Sequence, residues 1–215
     1  MKIAFLHTAE AHITTFDALL ARRAPDVRVT HRVEAGLLRR AMAEGLAAVQ
    51  EQTLAVLTGL CSSDAVVCTC STLGPVADDL ARNHRHVFRV DRPMLQRAVA
   101  LGSELLIAIC LESTRGPCLE LLADCSRIAG RSARPTVVLC DQAWPYFAAG
   151  DQEQFHKVIA AKIRAKVAAT KGFDAVVLAQ ASMMGTAPLL ADLGMPILSS
   201  PELAVEHALE LGLRP

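Results

Sequence analysis

The chain has 215 residues, 52% hydrophobic but only 4% aromatic, and its 22 Lys and Arg balance 22 Asp and Glu at a pI near 7. An apolar mass of Ala, Val, Leu and Ile suits buried strands covered by helices and excludes a disordered chain. Balanced charge gives no electrostatic basis for a nucleic acid or an anionic membrane as partner, and no apolar run approaches the roughly 20 residues of a spanning helix.

The opening run Met1-Lys2-Ile3-Ala4-Phe5-Leu6 is too short for a signal peptide, so the expected compartment is the cytoplasm. Seven cysteines then read as reduced thiols. Short β-branched runs at 2–7, 26–33, 64–69 and 86–90 predict strands, and a second series follows at 104–110, 134–140, 174–179 and 196–198. Amphipathic stretches separate them: Leu46, Val49, Thr53, Val56, Leu57 and Leu60 fall on one face of a helix. Strand–helix alternation implies parallel sheets covered on both sides.

The two series agree in order, and one stretch agrees in letters. Asp64-Ala65-Val66-Val67 recurs 110 residues later as Asp174-Ala175-Val176-Val177, with Val49 and Leu57 falling opposite Ile159 and Val167 at the same offset. The expected architecture is α/β: two pseudo-symmetric Rossmann-like halves with parallel sheets and an active site in the cleft between them. The first half is placed at 1–97, the second at 98–199, with 200–215 packing back on the first. In open parallel sheets ligands bind beyond the carboxyl ends of the strands, so residues after Val67 and Val177 are the candidates.

After the first repeated strand comes Cys68-Thr69-Cys70-Ser71-Thr72-Leu73-Gly74-Pro75. Cys70 is expected at the strand end, Ser71, Thr72 and Gly74 in a turn, and Pro75 in the first turn of a helix. Backbone N–H groups and a helix dipole there are expected to lower the thiol pKa from about 8.5 toward neutrality and to receive a carboxylate. Cys61, Cys68, Cys110, Cys118, Cys125 and Cys140 read instead as small buried hydrophobes. Neither Cys68-Thr69-Cys70 nor Cys118 with Cys125 has the spacing of a zinc site, so no metal is expected.

The segment from Asp64 to Thr72 resembles the first signature of the aspartate/glutamate racemase superfamily, a strand followed by Cys-Asn-Thr. That superfamily includes amino-acid and hydantoin racemases, maleate isomerase and arylmalonate decarboxylase. The resemblance implies two α/β halves, no cofactor, a homodimer and a small carboxylate or dicarboxylate ligand. Cys70 falls on the catalytic cysteine, Ser71 on the Asn and Thr72 on the Thr. The second signature departs from the pattern, with Gln180 at the second cysteine and Ser182 opposite Thr72. Gln180 offers hydrogen bonds but no proton transfer near neutral pH. The family's loops after the first strand of each half imply Thr8, Ser113 and Thr114 as further carboxylate-binding groups.

His7, Glu10 and His12 are candidate acid/base groups whose first reading is structural or surface. Arg115 is either a carboxylate partner or a surface residue, Met183 and Met184 read as packing, and Trp144 with Pro145 and Tyr146 either lines the pocket or packs within its loop. A single thiol favours decarboxylase-, lyase- or isomerase-like chemistry beside a carboxylate over two-thiol racemisation. The rival reading is a non-catalytic carboxylate-binding protein on the same fold.

Overall fold

The computed structural model describes residues 1–212. The chain divides into two compact units, Met1–Pro93 with the segment from Pro201 onward, and Met94–Ser200. The first contains β1 (Lys2–His7), α1 (Ala11–Arg23), β2 (Arg28–Val33), α2 (Ala35–Glu44), α3 (Gln50–Leu60), β3 (Ala65–Cys68), α4 (Gly74–Ala81) and β4 (Val87–Arg89). Helix α5 (Arg92–Leu101) leads into the second unit, with β5 (Glu104–Ile109), α6 (Arg115–Ala129), β6 (Arg134–Leu139), α7 (Trp144–Ala148), α8 (Gln152–Ala169), β7 (Ala175–Leu178) and β8 (Ile197–Ser199). The closing helix α9 (Ser200–Gly212) belongs to the first unit, where Arg23 pairs with Glu206 at 2.7 Å and Phe88 meets His207 edge-on.

Each unit holds a four-stranded parallel sheet, in the orders β2-β1-β3-β4 and β6-β5-β7-β8. The registers match step for step. Leu6 pairs with Cys68 and Cys68 with Arg89 in the first sheet; Ala108 pairs with Leu178 and Leu178 with Ser199 in the second. Strands β3 and β7, Ala-Val-Val-Cys and Ala-Val-Val-Leu, are buried at every residue, as the centre of a two-sided parallel sheet demands. Edge strands β2 and β6 are partly exposed and carry Arg28, Arg32 and Arg134.

The repeated Asp has a structural task in both units. The Asp64 carboxylate accepts the backbone N–H of Lys2 at 2.7 Å, and Asp174 accepts that of Glu104 at 2.9 Å. Each aspartate clamps the start of the neighbouring central strand, so D-A-V-V marks a register lock rather than a ligand site. Helix α3 presents Thr53 and Leu57 inward beside Val49, and α8 presents Phe155, Ile159 and Ile163. Asp151 caps α8 by accepting the Gln154 N–H at 3.0 Å. Among the described residues no helix is long and apolar enough to cross a membrane.

Candidate functional site

Backbone at the carboxyl edge of the first sheet turns sharply after β3. Leu73 N–H bonds back to Cys70 O at 3.1 Å and Gly74 N–H to Ser71 O at 3.2 Å, so residues 70–74 form two overlapping turns that feed into α4. Pro75 sits in its first turn, where a missing N–H costs nothing. Cys70 therefore lies at the head of the turn, 6% exposed and packed in a core cluster with Leu6, Leu73 and Ala77. Thr8, Ser71 and Thr72 are buried around the same edge.

The electrostatics of this thiol differ from the sequence expectation. Burial pushes the Cys70 thiol above its ordinary range, while hydrogen bonds from the Thr8 side chain and the Leu73 and Thr72 backbones pull it down without prevailing; Asp91 adds a smaller upward push. Desolvation of the thiolate outweighs the helix dipole and the N–H donors at this site. Burial thus favours the thiol form of Cys70, which lies beside the same donors that would stabilise its thiolate once the proton leaves.

Two further networks adjoin the Cys70 turn, at Ser71 and at Thr69. The first is a buried ion network. Arg89, 2% exposed at the end of β4, donates from Nε to Asp91 Oδ1 at 2.7 Å and from Nη2 to Asp91 Oδ2 at 2.9 Å, a two-point bond. It also donates to Asp78 at 3.1 Å and to the carbonyl of Ser71 at 3.3 Å, and Arg92 completes the group at Asp78. Burial opposes the guanidinium charge, yet Asp91 and then Asp78 outweigh it and fix Arg89 as a cation. The network thus pins the Ser71 carbonyl, and with it the turn. It also explains Gly74, because a Cβ there would stand 2.5 Å from Arg89 Cζ and Nε.

The second is a histidine relay. His7 Nδ1 lies 2.8 Å from Thr69 Oγ1, His7 Nε2 lies 2.8 Å from His31 Nδ1, and His31 Nε2 lies 2.9 Å from Asp17 Oδ1. Asp17 can only accept, so His31 donates from Nε2. The Thr69 hydroxyl donates its one proton to Leu6 O at 3.0 Å, so His7 donates from Nδ1 to Thr69 Oγ1 and accepts at Nε2 from His31 Nδ1. Burial, followed by the proximity of His12 and His31, lowers His7 to about 3, and burial lowers His12 to about 4, so both rings are uncharged at neutral pH. His7 is fully buried rather than a surface residue, and it anchors Thr69, the neighbour of Cys70. Glu10 is exposed where α1 begins.

The second unit has the same scaffold with different chemistry. At its carboxyl edge the Cys110 backbone N–H donates to Gln180 Oε1, which commits the amide oxygen and leaves the amide nitrogen as the end that can meet an anion. Gln180 and Ser182 are half-buried where β7 enters a long 3-10 segment, Ala181–Leu193. Thr114 is buried, Ser113 half-buried, and both lie in the short 3-10 turn after β5. Arg115 is engaged by the exposed Glu112, Nη2 to Oε2 at 3.0 Å. Trp144 stacks on Phe147 at 5.0 Å between ring centres. Cys68, Cys110 and Cys140 are buried thiols whose pKa desolvation raises, in keeping with their reading as small hydrophobes.

Neither a family sequence profile nor a curated protein sequence matches the chain. Solved structures do match it along its whole length. With Picrophilus torridus aspartate racemase the TM-score is 0.68 at 14% identity, over 99% of this chain and 95% of that one. With Thermus thermophilus glutamate racemase in complex with β-chloro-D-alanine it is 0.68 at 19% identity, over 98% and 80%. With an arylmalonate decarboxylase it is 0.61 at 15% identity, over 99% and 92%. Whole-length likeness to these two racemases and to the decarboxylase gives this chain their α/β fold.

Proposed function

We propose that the chain is a cofactor-independent enzyme acting at the carbon beside a carboxylate of a small acid, with Cys70 as its proton donor. The observation that carries this reading is a buried thiol at the carboxyl end of a central strand, met by the Thr8 side chain and the Thr72 and Leu73 backbones. Such a group suits one-sided chemistry. When a C–CO₂ bond breaks, CO₂ leaves and the bonding pair delocalises into the remaining carboxylate as an enediolate. The α-carbon then takes the Sγ proton, and solvent reprotonates the thiolate. The three donors around Sγ stabilise that thiolate as it forms. Thr8, Ser71 and Thr72 in the first unit, and Ser113, Thr114, Gln180 and Ser182 in the second, are the carboxylate-binding groups of this reading. Likeness to racemases and a decarboxylase supports the reaction class.

A second reading has its own observation. Gln180 offers no acid or base, and its oxygen is committed to Cys110, so the chain could serve as a carboxylate binder alone. One experiment separates the two. A panel of small malonates, amino acids and 2-hydroxy acids is incubated in D₂O and followed for CO₂ release, isomerisation and deuterium uptake. The enzyme reading expects a product carrying one deuterium at the α-carbon. Cys70→Ser should abolish turnover and leave ligand affinity within a few-fold, because a hydroxyl is a far weaker acid than a thiol of pKa about 8.5. Full activity in Cys70→Ser would refute the thiol assignment. Ligands that bind without any turnover would establish the binder.

A further inference from the structure

We propose that Cys61, His84 and His86 form a site for a divalent d-block cation, zinc by the chemistry of the donors, at the amino-terminal edge of the first sheet. One thiol and two imidazoles each offer an atom there, and these atoms all lie within 4.8 Å of one another. Among the described residues no other His, Cys, Asp and Glu side chains converge in this way. Sequence spacing hides the group, because 22 residues separate Cys61 from His84. The fold unites it. Cys61 ends α3 just before β3, while His84 and His86 form the turn into β4, and β4 is the neighbour of β3, with Val66 N–H bonded to His86 O at 2.9 Å.

Three properties point to a metal rather than to chance packing. All three side chains are half-buried, so they are dry enough to hold a cation and open enough to admit one. His86 Nε2 lies 3.1 Å from the Cys61 carbonyl and donates to it, which leaves the Nδ1 lone pair as the ligand. Metal-bound imidazoles are commonly oriented by such a bond from the other ring nitrogen to a backbone carbonyl. The donor set is sulfur and nitrogen without a carboxylate, which selects zinc over magnesium or calcium.

Zn–N and Zn–S bonds of about 2.0–2.3 Å place ligand atoms about 3.5 Å apart, so binding requires side-chain movements of about an ångström. The Cys61 thiol now donates to Leu57 O at 3.4 Å. On binding it loses that proton to solvent, and the sulfur–metal bond replaces the S–H bond. Water fills the fourth position. The site lies at the opposite end of β3 from Cys70, so it fastens the α3–β3 turn to the α4–β4 turn and takes no part in the proposed reaction.

The test is a cobalt titration of the reduced, full-length chain. One equivalent of Co²⁺ should give a near-ultraviolet thiolate-to-metal charge-transfer band with tetrahedral visible absorption, and zinc should erase both. Cys61→Ser should lose the charge-transfer band. His84→Ala, a change in a surface turn that leaves the core intact, should weaken zinc binding by at least the roughly 10–100-fold that loss of a ligand's hydrogen-bonding partner costs. Zinc should raise the melting temperature of the parent and not of His84→Ala. A saturating titration without a thiolate band, or a band unchanged in both variants, overturns the proposal.

Discussion

Two units of one chain repeat a scaffold to the residue and then diverge at its rim. Position 6 pairs with 68 as 108 pairs with 178, and Thr69 N–H bonds Leu6 O at 2.9 Å as Ala179 N–H bonds Ala108 O at 3.0 Å. Beyond those last rungs the likeness stops. Where the first unit has Cys70, the second has Gln180; where the first has the buried cation Arg89, the matched second position is Ser199. A regular helix follows the Cys70 turn, whereas a 3-10 segment containing Pro188 follows Gln180. Strand pairing is satisfied by backbone and by generic apolar side chains, so both copies can keep it while their rims change freely. The first unit has elaborated its rim with ions and histidines that hold a thiol; the second has kept hydrogen-bonding groups.

The largest expected asymmetry concerns Arg89. Arg89→Met leaves Asp91, 0% exposed, without its cation, and should cost about 3–5 kcal/mol of stability in urea unfolding. Ser199→Ala, at the matched position, should cost about 1 kcal/mol or less. Comparable costs at both positions would show that the ion network does not distinguish the units.

Acid should act chiefly on the first unit. Below the ordinary histidine pKa of 6.5 the unfolded chain protonates His7 and His12, while the folded chain keeps them neutral down to about 3 and 4. The unfolded state therefore binds more protons in that window, and stability must fall as pH drops from 6.5 toward 4. His7→Gln should flatten the fall of the urea midpoint across this range. An equally steep profile in the variant would acquit His7 of the acid sensitivity. The second unit has a single histidine, His156, whose pKa burial also lowers.

Gly74 gives a smaller effect and a sharper test. Gly74→Ala sets a methyl against the Arg89 guanidinium and should cost about 1–3 kcal/mol. In an Arg89→Met background that cost should shrink below about 1 kcal/mol, since the clash partner is gone. Additive costs would place the strain elsewhere. Small, and equal between the two units, should be Asp64→Ala and Asp174→Ala, each removing one clamp on a central strand for about 1 kcal/mol. A clear inequality between them would break the equivalence of the two scaffolds.

Much of the scaffold was legible in the sequence because it rests on local pattern. Alternation of apolar β-branched runs with amphipathic stretches located every strand, and the shared D-A-V-V exposed the repeat. The structure trims most ends by a residue or two: Thr69, Cys110, Cys140 and Ala179 leave the strands they were expected to finish. The rim was less legible. Arg89 and Asp91 sit two residues apart in a stretch that reads as an ordinary strand end, and their burial depends on packing. His7, His31 and Asp17 meet because β1 and β2 pair with Phe5 opposite His31, a register that periodicity does not supply. The thiol's direction of shift is illegible for a related reason, since burial is a property of the assembled unit and the helix dipole is a property of the segment.

Six of the seven cysteines, none of the seven in a disulfide, sit within apolar cores and give the protein a built-in way to time its own opening. Cys68 and Cys70 lie inside the first unit, and Cys110, Cys118, Cys125 and Cys140 inside the second, all buried. A reagent that attacks only thiolates in water must wait for each core to part, so its rate at each site reads a local opening equilibrium. Mass-resolved labelling under native conditions would then yield two separate clocks from one unmodified chain, one for each copy of the repeated scaffold.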